Sequence, residues 1–243
     1  MNKVKKRLMV IITDRLSTIV KKGEMTERYY NPGNLFDEVH ILMLNNDVVD
    51  PADVKIMAGT ADLFIYNLPA GNEFFVKSFG WQRPLIEGWV NEGIDIAREI
   101  NPHLIRVYDN FIQGYLAKRI KDELGVNYII SLHGVWDKDG LIGIPRKIMR
   151  AFRKKLEITA LKDASAVIAV YEPIVRYAKK YGGKNVHLIY NVIAGDKISK
   201  KKDYEIKDRL RLITVNRQLK EKNPENIIRA IKDIDCYYLI VGD

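Results

Sequence analysis

The sequence contains one cysteine, no long apolar run and no cluster of metal-ligating residues among its 243 residues. The lone thiol of Cys236 cannot form an internal disulfide framework and is typical of a reducing compartment. Basic residues precede an apolar run in MNKVKKRLMVIITD, but Asp14 ends that run before it reaches the length of a signal-peptide core. No later segment is long enough to span a membrane. We therefore expect a cytoplasmic protein without structural disulfides.

Two further absences restrict the ligands. Asp137 and Asp139 lie close together, but no Asp/His cluster has the spacing of metal ligands, so neither a metal nor a cofactor is expected. No basic stripe with interleaved aromatic residues and no known nucleic-acid motif occurs, so nucleic acid is not an expected partner. The excess of 40 Lys and Arg over 31 Asp and Glu, a net charge of +9, still favours anionic partners such as acidic lipid or phosphorylated small molecules.

Short apolar, β-branched runs alternate with helical patterns through most of the chain. They predict strands at 8–13, 39–44, 62–67, 104–109, 127–132, 166–171 and 186–191. Continuous apolar strands separated by amphipathic helices indicate a parallel sheet covered on both faces. One such helix, IQGYLAKRIKDELG, has an apolar residue at every fourth position from Ile112 to Leu124, and Gly125 follows as a stop signal. The pattern predicts a doubly wound α/β domain over residues 1–195.

The composition changes after this domain. Residues 196–209 are polar and strongly charged, which indicates a solvated linker or, alternatively, a charged helix face. A new β-α-β pattern follows, formed by LRLITV, a helix from about Pro224, and YYLIV. We expect residues 210–243 to be the first unit of a second α/β domain. Such a unit cannot stand alone, because parallel strands need cover on both faces and more neighbours.

The segment NRQLKEKNPEN, which follows strand LRLITV, contains the residue types of a phosphate site. Arg217 stands at the carboxyl end of the strand, the edge where open α/β sheets bind ligands. Asn223 can cap the next helix and Pro224 suits its first position, so that free backbone N–H groups face the same edge. Arg217 and Lys222 flank this helix start. They could hold a diphosphate, or they could be two exposed cations in an ordinary loop.

The order of strand, Asn-Arg, four residues, Lys-Asn-Pro-Glu, helix and YLIVGD resembles the start of the nucleotide-binding domain of retaining glycosyltransferases of the GT-B fold, the group 1 or family 4-like proteins. In that family an Arg-(four residues)-Lys pair grips the donor diphosphate, and Arg217 and Lys222 match it. The family usually has glycine before the arginine, where this chain has Asn216. The resemblance implies a Rossmann-like N-terminal domain on the acceptor side and a second Rossmann-like domain for the nucleotide sugar.

Two segments of the first domain are similar to the same family. NYIISLHGVWD resembles the family's strand that ends in His-Gly, where the histidine lies near the transferred sugar. This implies a catalytic role for His133, whereas the residue alone would also fit a loop histidine with a satisfied hydrogen bond. TDRLSTIVKKGE corresponds to the glycine-containing loop that approaches donor phosphate and acceptor. It offers Gly23 and Glu24 as a binding position, although Gly23 also fits a simple turn.

The resemblance implies transfer of a sugar from a nucleotide-diphosphate sugar to a glycan or lipid-linked acceptor, with retention at the anomeric carbon and without a metal. The family's Glu-(seven residues)-Glu segment, which binds the donor ribose, would lie beyond residue 243. The resemblance therefore implies a chain that is truncated and incomplete as a transferase. Two alternatives stay open: a sugar-nucleotide epimerase of the same fold, and a non-catalytic basic protein that binds membrane or nucleic acid.

The segment GIPRKIMRAFRKKLEITALK, residues 143–162, predicts an amphipathic basic helix. Its apolar face would contain Ile144, Ile148, Phe152 and Leu156, and lysines and arginines crowd the remainder. Such a helix can pack on a core with its basic face in water. Alternatively, it can lie on anionic lipid headgroups as a peripheral membrane contact.

Overall fold

The computed structural model describes residues 4–70, 83–134, 144–191, 199–200, 203, 209–216, 218–219 and 222–242, with only the backbone of 83–85, 144–150 and 152. The chain forms two compact units, Met1–Asn191 and Val192–Asp243. The linker expected at 196–209 falls mostly outside the described residues, and the domain boundaries inferred from the sequence stay predictions.

The first unit is built on a seven-stranded sheet. Its strands are β1 Arg7–Ile12, β2 Glu38–Met43, β3 Asp62–Asn67, β4 Leu104–Tyr108, β5 Tyr128–Leu132, β6 Ala166–Ala169 and β7 Val186–Leu188. They lie in the order β3-β2-β1-β4-β5-β6-β7, and every neighbouring pair is parallel. All seven strands expected from the apolar runs are present. The doubly wound parallel α/β class is therefore confirmed.

Helices connect these strands. They are α1 Leu16–Lys22, α2 Pro51–Val54, α3 Arg83–Ile100, α4 Ile112–Leu124, α5 Ile144–Asp163 and α6 Glu172–Lys180, and short 3₁₀ turns occupy Pro32–Asn34 and Lys55–Ala58. Helix α4 has the bounds that the four-residue repeat predicts. Gly125 ends it in the left-handed conformation, at φ 71°, where only glycine avoids a steric penalty.

Two buried cores flank the sheet, because successive residues of a strand point to opposite faces. The first core contains Met9 and Ile11 of β1, packed with residues from helices α3 to α6. The second contains Leu8, Val10 and Ile12, packed with residues from α1, α2 and the segment before β2. Strand β1 is thus buried on both sides. Its position fixes the loop that leads from its carboxyl end into α1.

Of the apolar face expected on helix α5, only Leu156 has a described side chain, so that face stays a prediction. Glu157, Ala160 and Leu161 are buried, whereas Leu156 is only partly so. The other three residues of the expected apolar face, at 144, 148 and 152, have side chains outside the described set. Arg153 Nε lies 2.7 Å from Glu157 Oε1, and Lys154 Nζ lies 3.6 Å from the ring centroid of Tyr181. These two cations pack on the protein itself, so they do not form the freely solvated basic face that the pattern indicated.

The second unit contains β8 Leu210–Val215, α7 Pro224–Ala230 and β9 Cys236–Val241. The two strands are parallel over their full length, from Leu210 opposite Cys236 to Val215 opposite Val241. The expected β-α-β unit is therefore present. One face of the pair carries large side chains that are 41–71% exposed, namely Ile213, Val215, Tyr237, Leu239 and Val241.

Candidate functional site

The first sheet reverses its strand order between β1 and β4. In open α/β sheets, ligands bind outside the carboxyl ends of the strands at such a switch point. Asp14 follows β1, Tyr108 ends β4 and His133 follows β5, so all three reach this one edge of the sheet.

Three tyrosine rings form the centre of this edge. Tyr29 stacks on Tyr108 with centroids 5.3 Å apart, and Tyr30 meets both rings edge-on at 5.2 and 5.6 Å. Burial raises the pKa of both Tyr30 and Tyr108, so their hydroxyl groups stay protonated at neutral pH. The Tyr108 hydroxyl donates a hydrogen bond to the Tyr29 carbonyl oxygen at 3.4 Å. The rings therefore hold one another in fixed positions.

Arg106 braces the tyrosine cluster. Its guanidinium carbon lies 4.7 Å from the Tyr108 ring centroid. Nε donates to Ser131 Oγ at 3.1 Å, and Nη1 donates to the Tyr29 carbonyl oxygen at 3.5 Å. A single side chain thus connects β4, β5 and the segment before β2.

His133 lies beside the cluster, with its ring centroid 5.8 Å from that of Tyr108. Burial lowers the pKa of His133, and the positive charge of Arg106 lowers it further, while Asp14 acts in the opposite direction. The imidazole is therefore neutral at pH 7 and can accept one hydrogen bond while it donates another. The residue as a whole stays exposed to solvent, so a ligand can reach it.

A cavity of about 170 Å³ opens at the same edge. Its floor consists of the buried residues Tyr30, Met57 and Tyr108. Its walls and rim are formed by Asp14, Ile19, Glu24, Thr26 and Tyr29. No lysine or arginine of the described residues lines it. The volume of this cavity is smaller than that of a typical site for a drug-sized ligand, and it suits one small ring.

The loop position expected at Gly23 and Glu24 falls partly on this cavity. Gly23 ends α1 at φ 65°, and its N–H donates to the Val20 carbonyl oxygen at 3.0 Å. The N–H of Glu24 donates to the Ile19 carbonyl oxygen at 3.1 Å. Helix termination therefore accounts for the glycine, and it places Glu24 at the cavity rim. A direct role of either residue in ligand binding stays a prediction.

Most residues at this edge of the sheet were not predicted from the sequence. Gln113 is buried, and its Nε2 donates to Thr13 Oγ1 at 3.0 Å and to the Tyr108 carbonyl oxygen at 2.9 Å. This amide joins the carboxyl ends of β1 and β4. Asp109 has a positive φ of 98°, which is rare outside glycine, and its carboxylate accepts from the Asn110 N–H at 2.6 Å. The only feature of the sequence that marks Gln113 and Asp109 is their position, between the end of a strand and the first turn of the next helix.

The expected diphosphate site lies on the second unit. Arg217 is outside the described residues. Lys222 is exposed, two residues before α7, and its N–H donates to the Leu219 carbonyl oxygen at 2.9 Å. Pro224 is the first residue of the helix, as expected. The prediction that Asn223 caps the helix is wrong, because its backbone adopts φ 53° and its side chain makes no capping bond.

In the described part of the chain, no three His, Cys, Asp or Glu side chains gather where they could hold a metal ion. Asp137 and Asp139 lie outside that part. None of the described helices is both long and apolar enough to cross a bilayer.

A family model identifies the class of the first unit. The model of Glycosyltransferase Family 4 matches residues 37–196, a range that includes Tyr108 and His133. The matched range begins after the β1–α1 loop, so Asp14 and Glu24 lie outside it. No curated protein matches the chain.

Solved structures share the fold. A sucrose-phosphate synthase from Thermosynechococcus elongatus superposes with a TM-score of 0.65 at 14% identity, covering 98% of this chain and 62% of that one. A putative UDP-N-acetylglucosamine 2-epimerase from Listeria monocytogenes gives 0.52 at 15% identity, covering 98% and 63%. Both have the GT-B type of Rossmann-like fold. This chain therefore spans less than two thirds of the length of either structure.

Proposed function

The chain belongs to Glycosyltransferase Family 4, and we propose that it moves a sugar from a nucleotide-diphosphate sugar to a hydroxyl group of a glycan or lipid-linked acceptor. One structural observation supports this proposal in addition to the family membership. An accessible histidine with a lowered pKa stands beside an aromatic cavity at the carboxyl edge of the sheet. That edge is where this class of fold binds its ligands.

His133 is the proposed catalytic residue of the first unit. As a neutral imidazole it hydrogen-bonds a hydroxyl group of the transferred sugar. In the reaction, the bond from the anomeric carbon to the diphosphate breaks and a bond to the acceptor oxygen forms on the same face. The acceptor proton leaves with the diphosphate. Retention of the anomeric configuration follows from attack on that face.

Arg217 and Lys222 are the proposed diphosphate ligands of the second unit. Negative charge develops on the diphosphate as it departs, and fixed cations stabilise that charge more in the transition state than in the ground state. Lys222 is exposed and forms no ion pair in the described part of the chain, so its ammonium group is available to a ligand. No metal is needed for this role, because the two side chains supply the positive charge.

Nucleotide binding and sugar transfer test these assignments separately. Lys222→Ala should weaken binding of a nucleoside diphosphate about tenfold, since a charge-assisted hydrogen bond contributes about 1.5 kcal/mol or more. The matched control is Lys232→Ala, an exposed lysine of the same unit. His133→Ala should lower the rate of transfer at least about tenfold with nucleotide affinity unchanged. Equal affinities for the Lys222 and Lys232 variants would contradict the diphosphate assignment.

The product distinguishes the transferase from the epimerase alternative. Transfer yields a new glycoside and a free nucleoside diphosphate, whereas an epimerase changes the nucleotide sugar without any acceptor. The epimerase likeness rests on fold alone and does not favour that reaction. Proton NMR of the first product formed would show both the reaction class and the anomeric configuration.

We place the protein in the cytoplasm, with a peripheral contact to anionic membrane through residues 143–162. The basic character of α5 supports this contact. Arg153 and Lys154 are engaged with protein groups, so the lipid-facing charge would come from other cations of the segment. Equal sedimentation of the protein with neutral and anionic vesicles would remove the membrane contact from the proposal.

A further inference from the structure

We propose that the cavity beside Tyr29 and Tyr108 binds a neutral sugar ring of the acceptor and rejects anionic acceptors. This inference rests on the proposed transferase function and adds the chemical class of its acceptor. The cavity combines a buried aromatic and apolar floor with an exposed polar rim. A sugar ring has the same two aspects, apolar C–H faces and a polar hydroxyl edge.

The charge of the rim determines which ligands the cavity accepts. Asp14 and Glu24 both line it, and neither carboxylate forms a hydrogen bond or an ion pair in the described part of the chain. Ionised carboxylates only accept hydrogen bonds, so they pair with hydroxyl donors and repel phosphate or carboxylate groups.

Arg106 is a cation in contact with the tyrosine cluster. Arg106 is held over the Tyr108 ring and donates to Ser131 and to the Tyr29 carbonyl oxygen. It is not among the residues that line the cavity. Its guanidinium group therefore supports the aromatic cluster and is not presented to a ligand in the cavity.

The aromatic cluster positions the ring. Tyr108 covers one face of Tyr29, and Tyr29 remains 36% exposed. The exposed part of the Tyr29 ring can pack against the C–H face of a sugar. Tyr108 contacts both the cavity and His133, whose ring centroid is 5.8 Å away. The ring of Tyr108 therefore lies next to both a sugar in the cavity and His133, the proposed catalytic residue.

Saturation-transfer NMR on the full chain tests the inference with defined probes. The neutral probes are the methyl α-glycosides of glucose, mannose and galactose, and the anionic probes are glucose 6-phosphate and methyl glucuronide. We expect at least one neutral glycoside to bind and both anions to bind at least about tenfold more weakly. Glu24→Gln and Asp14→Asn should each weaken the neutral glycoside about tenfold. Glu123→Gln, on the distant face of α4, should have no effect.

Two substitutions separate ring stacking from hydroxyl chemistry. Tyr29→Phe keeps the ring and should bind as the wild type does, whereas Tyr29→Leu should lose about fivefold to tenfold in affinity. The double variant that combines Asp14→Asn and Glu24→Gln should bind neutral and anionic probes with affinities that differ by less than about threefold. A wild-type cavity that binds no neutral glycoside, or binds an anion equally well, overturns the inference.

The result can be distinguished from failure of the transferase proposal. Nucleoside diphosphate binding is titrated on the same samples. Glycoside binding without nucleotide binding refutes the diphosphate site proposed at Arg217 and Lys222 and supports the sugar cavity. Nucleotide binding without glycoside binding refutes the sugar cavity alone.

Discussion

Replacing Glu38 with glutamine should lower the free energy of unfolding of the first unit by about 1–2 kcal/mol at pH 7. Glu38 begins β2, and its side chain is only 12% exposed. Its carboxylate lies 2.8 Å from Arg7 Nε, 2.9 Å from Lys5 Nζ and 3.5 Å from His40 Nε2. Glutamine keeps the size of the side chain and removes the charge that these three partners share.

The expected magnitude comes from the pKa of Glu38. The hydrogen bond from Lys5 lowers this pKa from 4.5 to about 2, with help from Arg7 and His40, although burial acts in the opposite direction. A difference of that size corresponds to about 3 kcal/mol at pH values where the carboxylate is ionised. Lys5 is 53% exposed, so solvent screens the strongest partner. We therefore reduce the expected effect to about 1–2 kcal/mol.

The pH dependence provides a second check. Since the folded protein lowers the pKa of Glu38, the stabilisation is present above pH 4.5 and is lost as the pH falls towards 2. The difference between the wild type and Glu38→Gln should shrink over that range. Burial also lowers the pKa of His40, so both proteins should lose further stability as the pH falls below about 6.5.

Urea unfolding followed by tryptophan fluorescence is the assay. All three tryptophans lie between residues 81 and 136, so the signal reports the first unit alone. The control is Glu123→Gln, whose carboxylate is 59% exposed and 3.8 Å from Arg98. The reasoning is refuted if Glu38→Gln is no more destabilising than this control at pH 7. It is also refuted if the Glu38 effect is the same at pH 3 as at pH 7.

Substitutions at Glu157 and Gly114 test the packing around α5, and Gly88→Ala in α3 is the control for added helix propensity. Glu157→Ala should lower the free energy of unfolding by about 2–3 kcal/mol, because it removes a buried carboxylate that accepts hydrogen bonds from Arg153 at 2.7 Å and Tyr177 at 3.0 Å. Glu157→Gln should lower it less in the same urea titration. Gly114→Ala should cost about 1–3 kcal/mol, because its new methyl group would lie 2.9 Å from Ala160 Cβ. Gly88→Ala in α3, with open space around the added methyl, should be neutral or stabilising in thermal melts.

The strands could be read from the sequence because the parallel sheet buries them on both faces. In β1, for example, Leu8 to Ile12 form one unbroken apolar run that serves two cores. The burial of Glu157 in α5 could not be predicted in the same way. Glu157 looks like a surface residue by type, and it is buried only because Arg153 and Tyr177 satisfy its oxygens.

The cavity could not be predicted from the sequence for a different reason. Asp14, Tyr29 and Tyr108 are far apart in the chain, and they meet only because β4 pairs with β1 and not with β3. Strand order in a parallel sheet depends on crossovers that periodicity does not encode. His133 was predicted as a site residue because its neighbours resemble a known family, while Tyr108 and Arg106, which lie beside it in the structure, belonged to no motif.

The charge distribution suits a protein that must keep two substrates apart. The net charge of +9 favours anionic ligands such as the diphosphate donor proposed above, and Lys222 is an exposed cation on the second unit. The cavity of the first unit bears two carboxylates and no cation of the described residues. Its repulsion therefore acts on the donor diphosphate as well as on anionic acceptors. In the proposed reaction, the same two carboxylates that bind the acceptor hydroxyls also prevent the donor from occupying the acceptor's place.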